Sequence, residues 1–480
     1  MCIALSRIFV HSRRRRTYRD IIAVSSAGLD GDASRGTRPG PDLLNPRKVF
    51  ATRVAAALLF CGCASGARLS ILDGMGPLPT LPAPRTSLIP TVNVATAKGW
   101  AEGTTPIAGK GMHVDAFASS LEHPRWLHVL PNGDVLVAET NSPPRPDDMK
   151  GIRGWFIKRY RKRAGGAVPS ANRISLLRDS DGDGVAELRT VLLSGLRSPF
   201  GMALVDSTLY VATTDALVRF RYHAGDTVIN DTAVLVAPLP AGTINRHWTR
   251  SLVASPDGKR LYVGVGSNSN AAEHGIEAEE GRAAIWEIDP ATGFHTIYAS
   301  GLRNPVGMAW DDEGGLWVAV NERDEIGSDV PPDFMTRVVH RGFYGFPYSY
   351  FGANIDKRVK PQRPDLVSRA IIPDYALGPH TAPLGLAYVS NASLSPRLGA
   401  GMFVGQHGSW NRKPLSGYKV IFVQFHDGRP QGGPMDILTG FVNEKGEAYG
   451  RPVGVAIGKD GALLVADDVG NTIWRVTRAR

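Results

Sequence analysis

Apolar and polar positions alternate in short bursts along most of this chain, and the bursts return as one cassette. It is an apolar run, a tight turn that carries Asp-Gly or Asn-Gly in several copies, and a second apolar run. The copies read PRWLHVLPNGDVLVAET (124–140), SPFGMALVDSTLYVATT (198–214), RSLVASPDGKRLYVGVG (250–266), NPVGMAWDDEGGLWVAV (304–320), APLGLAYVS with LGAGMFVGQ (382–406) and RPVGVAIGKDGALLVADD (451–468). Each predicts a β-hairpin. A hairpin cannot cover its own apolar face, so six copies predict a packed ring or stack. The turns fall at Gly133, Ser207, Gly258, Gly314, Gly399 and Gly461. Their shortest steps approach the ~40–50 residues of a four-stranded propeller blade. The longest steps hold insertions at 141–172 and 333–380. The reading is therefore all-β: a six-bladed β-propeller of four-stranded antiparallel blades over residues 106–480. MHVDAFA (112–118) is placed to complete the last blade and close the ring.

Composition fits a turn-rich globular protein: 54 Gly, 34 Pro, 43% hydrophobic and 21% charged residues in 480. The net charge of +10 suggests a nucleic-acid partner, but most of it lies in residues 1–53, which hold 11 Lys and Arg against 4 Asp. The folded body is close to balanced, and no nucleic-acid partner is expected.

RKVFATRVAAALLFCGCAS (47–65) has the basic start, short apolar run and small-residue exit of a secretory signal. Gly62-Cys63-Ala64-Ser65 resembles a bacterial lipoprotein processing site, which implies export to the periplasm and a membrane anchor at Cys63. Residues 1–46 read as an early-called start or a disordered extension, and 64–105 as a flexible tether. Cys2, Cys61 and Cys63 are the only cysteines, so the body has no disulfide, thiol nucleophile or cysteine metal site.

In a propeller the polar residues at blade entrances decide function. His247 in INRHWTRSL is a candidate proton acceptor or a histidine bonded to a neighbouring blade. Arg303 and Asn304 precede the fourth inner run, and Arg303 offers a fork for an oxyanion or pairs with a loop carboxylate. VNERDEIGSDVPPD (320–333) gathers Glu322, Arg323, Asp324, Glu325 and Asp329, a hard-cation site or a solvated acidic loop. GQHGSWNRKP (405–414) places His407, Trp410, Asn411, Arg412 and Lys413 together, which suits a flat polyanion. Arg125, Arg250, Arg303, Arg412 and Arg451 recur at blade entrances and predict an electropositive mouth. RDSDGDGVAE (178–187) offers Asp179, Asp181, Asp183 and Gly184 at calcium-loop spacing, with Glu187 as a substitute twelfth-position acid. No phosphate cradle or nucleophile elbow accompanies these. GWFIKRYRKRAGGA (154–167) is basic and aromatic and reads as a solvated insertion helix or a contact for a membrane or acidic partner.

Taken together, HPRWLHVLPNGDVLVAET, LLRDSDGDGVAE, SPFGMAL, GLRNPVGMAW, NERDEIGSDVPPD, GFYGFPYSY, GQHGSWNR and GRPVGVAIGKDGALLVADD resemble the glucose/sorbosone dehydrogenase family. These are exported propellers that use pyrroloquinoline quinone (PQQ) and calcium, and the L-sorbosone dehydrogenase-like branch is the nearest in motif. The resemblance implies oxidation of a sugar or sugar aldehyde, with His247 as base and Arg303 polarising the quinone oxygen. It implies that Asn304, Arg412 and Arg451 contact the cofactor, with Arg250, His407 and Trp410 beside them, and that the backbone at Arg323 and Asp324 binds calcium. Two departures stand out. Ser267 occupies the stretch where soluble glucose-type enzymes put an acidic partner for the base, and their second-blade glutamine is missing from SPFGMAL. A calcium-dependent propeller hydrolase and a non-catalytic glycan- or protein-binding propeller are the competing readings. The electron acceptor of the dehydrogenase chemistry is left open, with a cytochrome or a membrane quinone chain as candidates.

Overall fold

The computed structural model describes residues 66–87, 90–144, 150–391, 393–395 and 397–479. The extension 1–46, the signal 47–63 and Cys63 lie outside the described residues.

Each cassette forms the first two strands of a four-stranded antiparallel blade. Blade 1 is Pro124–Val129, Val135–Glu139, Arg173–Arg178 and Leu188–Leu193; blade 2 is Met202–Val205, Thr208–Ala212, Ala216–Arg221 and Val234–Pro238. Blade 3 is Arg250–Ala254, Leu261–Val265, Ala284–Ile288 and His295–Ser300; blade 4 is Pro305–Trp310, Leu316–Val320, Pro332–Arg337 and Tyr375–Pro379. Blade 5 is Pro383–Val389, Gly401–Gln406, Lys419–His426 and Met435–Thr439. Blade 6 takes Pro452–Ile457, Leu463–Asp467 and Thr472–Arg478 from the carboxyl end, and Met112–Ala118 from the amino-terminal side as its outer strand. That last pairing runs from Ile473 opposite Ala118 to Arg478 opposite Met112, with one shift of register between Ile473 and Trp474, and it closes the ring as the sequence predicts.

Burial follows strand position. Second strands such as Val135–Glu139 and Leu316–Val320 are buried along their whole length, because neighbouring blades cover both faces. The fourth strand Leu188–Leu193 keeps an alternating half-exposed pattern, whereas Tyr375–Pro379 of blade 4 is buried throughout.

The recurrent Pro-apolar-Gly of the cassettes has a packing cause. A Cβ on Gly201 would lie 2.3 Å from the Leu252 nitrogen of blade 3, and one on Gly385 would lie 2.3 Å from the Val453 oxygen of blade 6. Inner strands of successive blades cross backbone against backbone at these points, and only glycine leaves room.

Residues 66–87 and 90–105 depart from expectation. They are not a free tether. Met75–Gly76 adds an outer strand to blade 4, and Thr96–Ala97 pairs in parallel with Glu447–Ala448. Val94 and Ala95 are buried, and the Trp100 indole donates to Asp467 Oδ2 at 2.7 Å. Proline and glycine suggested mobility, yet an extended chain rich in both suits docking on ready-made edges. The second insertion spans 338–374. It runs along the outer edge of blade 3, with Tyr344 N donating to Ser300 O and Phe346 N to Gly301 O.

Gly385→Ala is expected to cost about 1–3 kcal/mol through overpacking, although alanine is ordinarily the better strand residue. Gly433, whose added Cβ would meet nothing within 4 Å, serves as control and is expected to tolerate alanine. Urea unfolding of both variants is the check, and equal midpoints would contradict the close-approach account.

Candidate functional site

Antiparallel alternation sends two sets of loops to one face: those before first strands and those after second strands. His247, Arg303 and Arg451 belong to the first set. Ser267, Asp324, His407, Trp410, Arg412 and Asp468 belong to the second. These residues therefore share a mouth.

His247 Nδ1 lies 2.8 Å from the Ser267 carbonyl oxygen and 3.0 Å from Ser267 Oγ. A carbonyl only accepts, so Nδ1 carries the proton. The Ser267 hydroxyl donates onward to Ser269 O at 2.7 Å and thus also accepts from the ring. Nε2 is left as the basic nitrogen. The serine that replaces the expected acidic partner thus still fixes the tautomer. Glu279, which accepts from Asn268 N (2.7 Å) and the Ser269 hydroxyl, holds this loop in place.

The arginines behave differently from expectation. Arg250 does not line the mouth. It is fully buried and donates to His247 O, Thr249 O, Pro240 O and Asn245 Oδ1, so it braces the histidine loop from within the wall. Burial, with the charge of Arg282, pulls its pKa down to about 9, which leaves it charged at neutral pH. Arg303 is likewise buried, and all five of its N–H groups have protein acceptors: Asn270 O and Oδ1, Asn321 O, Glu322 O and Asp324 Oδ2. It clamps blade 3 to the 320–324 loop rather than presenting donors to a ligand. Arg451 reaches back to Tyr418, with Nη2 2.7 Å from the hydroxyl and the guanidinium 5.0 Å from the ring centre.

The cation expected at the backbone of Arg323 and Asp324 meets a similar obstacle. The Asp324 carbonyl already accepts from Asn270 Nδ2 (3.1 Å) and Arg358 Nη1 (3.0 Å), so both lone pairs are engaged. The Arg323 side chain is buried among Glu322, Asp356, Pro347 O and Ser349 O. Burial works to raise the Asp324 pKa, but the His380 hydrogen bond and the Arg303 charge outweigh it, so the carboxylate stays ionised. Burial works to lower His380, and Asp324 overcomes it, leaving that histidine above its ordinary pKa.

The sequence reading missed a third group. Asp468, buried just after the second strand of blade 6, takes Arg125 Nη1 at 2.6 Å and His407 Nε2 at 2.9 Å on Oδ2; His123 Nε2 stands 3.6 Å away. Burial alone would raise its pKa, but these neighbours hold it far below the usual carboxylate range. Burial lowers His407 to about 4 against the pull of Asp468, so it is neutral at pH 7 and donates to the carboxylate. The signal in the sequence was the doubled acid of LLVADD. Asp467 turns inward to backbone N–H groups and two indoles, and Asp468 faces the mouth.

Contacts run around this face through one blade after another. His247 bonds Ser267, Ser267 N donates to Arg303 O (2.7 Å), and Arg303 holds the 320–324 loop. Glu325 N then donates to Asn411 Oδ1 (2.7 Å), in the loop that carries His407, Trp410 and Arg412. Through His407, Asp468 and Arg125 the circuit returns to Trp248, whose ring centre is 5.8 Å from the Arg125 guanidinium. Arg125 Nε, Arg412 Nε, Asn304 Oδ1 and Asp468 Oδ1 are buried without a hydrogen-bond partner, as is Arg250 Nε within the wall, and Trp410 is 40% exposed. An unmatched guanidinium N–H and an open indole are both groups that a planar anion can use. Asn304 lies against His247, since a Cβ on Gly266 would touch both.

Asp179, Asp181, Asp183 and Glu187 also come together, with ligand oxygens within 4.8 Å of one another. Their loop joins the third and fourth strands of blade 1 and so lies on the face opposite the mouth. The carboxylates there accept from backbone N–H groups of the same loop.

The depressed pKa of His407 predicts a pH effect. Between the ordinary 6.5 and about 4 the unfolded chain takes up a proton that the folded chain refuses, so stability falls as pH drops through that window. His407→Gln is expected to flatten this part of the stability profile, measured by urea melts across the window. A profile as steep as the wild type would contradict the assignment.

A family model described as TrAA12-like matches residues 171–340 and 365–479. The pyrroloquinoline quinone-dependent pyranose dehydrogenase of Coprinopsis cinerea is 25% identical over 296 residues, 48% of this chain and 40% of that enzyme, so the match spans less than half of the relative. The solved holo form of that enzyme's PQQ domain superposes with a TM-score of 0.62 at 20% identity, covering 80% of this chain and all of the domain. The calcium structure of the Trichoderma reesei family AA12 protein gives 0.63 at 18% identity, covering 81% and 99%. The chain belongs to the TrAA12-like family, the β-propellers of the PQQ-dependent sugar dehydrogenase and AA12 type.

Proposed function

We propose that this protein is a PQQ-dependent oxidoreductase that oxidises a sugar or sugar aldehyde at the propeller mouth. The observation that carries this reading is the tautomer lock on His247. A carbonyl and a hydroxyl that both accept at Nδ1 leave Nε2 as proton acceptor, on the face that also carries Arg125 and Arg412. Family membership supports it, as do the named cofactor and activity of the Coprinopsis relative.

The donor set fits a planar tricarboxylate. Arg125 and Arg412 supply unmatched N–H groups and Trp410 an open aromatic face, while the unmatched Asn304 carbonyl can accept from an N–H or hydroxyl of a ligand. When bound, PQQ supplies an electrophilic quinone carbonyl that accepts hydride. The chain's own part is to hold and to deprotonate. His247 Nε2 takes the proton of a substrate hydroxyl or hydrated aldehyde, and Ser267 stabilises the imidazolium through the opposite nitrogen. Arg250 and Arg303 keep the histidine and its facing loop in register. Of the two backbone oxygens expected to bind calcium, the Asp324 carbonyl is taken by two donors as the structure holds it, so no step is assigned to a metal there. We further propose export and a lipid anchor at Cys63, on the strength of the signal at 47–65.

The test is dye reduction by the purified chain with PQQ, with and without calcium, across a panel of aldoses and sugar aldehydes. His247→Asn is expected to lower kcat by about 10²–10⁴-fold with KM little changed. Ser267→Ala keeps the carbonyl and loses only the hydroxyl, so a fall of less than about tenfold is expected, one weak hydrogen bond's worth. No reduction of dye with any substrate, or full activity in His247→Asn, would remove this reading.

A further inference from the structure

The helix Gly151–Arg163 that interrupts blade 1 takes no part in the site above. It follows the second strand of its blade, so it stands on the mouth face. Its sequence, GIRGWFIKRYRKR, holds six basic residues and no acid. Two of the six fasten it to the body. Arg161 Nη2 donates to Ser142 Oγ (2.6 Å) and Gly166 O (3.0 Å), and Arg163 Nε donates to Thr96 Oγ1 (2.8 Å). Gly154 is buried on the inner side.

The outer side is unusual. Trp155 is 58% and Phe156 45% exposed, their rings edge to face at 4.9 Å. Lys158, Arg159 and Lys162 are exposed and have no ion-pair partner among the described residues. Trp155, Arg159 and Lys162 are spaced to share one helical face. Cations without counter-charges are ordinary on a solvated helix, but two adjacent large aromatic rings turned outward among them are not. The combination suits a surface that is anionic on top and apolar just beneath, where indoles settle at headgroup depth. An acidic protein would answer the charges but gives no reason for the paired rings.

We propose that the mouth face rests on an anionic phospholipid surface through this helix. Trp155 and Phe156 enter the headgroup layer, and Lys158, Arg159 and Lys162 pair with lipid phosphates. The helix lies on the surface: among the described residues no helix is long and apolar enough to cross a membrane. The inference stands independently of the proposed oxidation.

The experiment is co-sedimentation of the full chain with phosphatidylcholine vesicles and with vesicles that also contain phosphatidylglycerol. The wild type is expected to prefer the anionic vesicles and to lose binding as salt rises. The triple variant Lys158→Glu, Arg159→Glu, Lys162→Glu is expected to partition at least about tenfold more weakly. Trp155→Ser with Phe156→Ser is expected to bind more weakly too, and to lose the part of the fluorescence quenching by brominated lipid that Trp155 supplies. Residues 1–65 are common to all these proteins, so the differences isolate the helix, and unchanged circular dichroism confirms that the variants fold. Equal partitioning of wild type and variants would overturn the proposal. So would variants that keep vesicle binding while losing retention on immobilised polyglutamate, which would assign the helix to an acidic protein.

Discussion

The close crossing of inner strands around the axis is the constraint from which the rest of this structure follows. Gly201 against Leu252 and Gly385 against Val453 bring successive first strands together with no side chain between them. Fixing those strands fixes the loops that lead into them, and the loops carry His247, Arg303 and Arg451. Closure by Met112–Ala118 then turns the row of blades into a ring, so that blade 1, with Arg125, stands next to blade 6, with Asp468. A mouth built this way is rigid because its residues sit at the ends of buried strands.

The arginines divide into two kinds once their hydrogen bonds are traced. Arg250, Arg303 and Arg323 are internal braces whose donors meet loop carbonyls and buried carboxylates. Buried guanidinium groups tie several loops at once, since each offers N–H groups in several directions. Arg125 and Arg412 keep an unmatched buried N–H; Arg250 also leaves Nε unmatched, although its other donors are spent on its own loop. Charge at a blade entrance is therefore a poor guide to ligand contact; what matters is which donors the loops leave unused and whether the side chain stands at the mouth or inside the wall.

The repeat was legible in the sequence because period-2 apolar runs and turn pairs are local signals. The closing strand was legible because a ring needs a partner for its last blade. The docked path of 66–87 and 90–105 was not, because its strands are two residues long and borrow their partners from distant edges. His247 was visible as a candidate, but its orientation depends on a carbonyl twenty residues on, at Ser267, and backbone acceptors leave no mark in sequence. The brace role of Arg303 was hidden for the same reason, since three of its acceptors are main-chain oxygens. Asp468 escaped because the two aspartates of LLVADD look equivalent until the strand end turns one inward and one to the mouth.

A crystal structure of the full chain grown with PQQ addresses the central claim most directly. The account places the cofactor on the face that carries His247, with the ring system against Trp410, carboxylates on Arg125 or Arg412, and the reacting carbon within about 3–3.5 Å of a substrate positioned under His247 Nε2. Density for the quinone on the opposite face, or a mouth in which Arg303 has left its clamp to face the ligand, would contradict it.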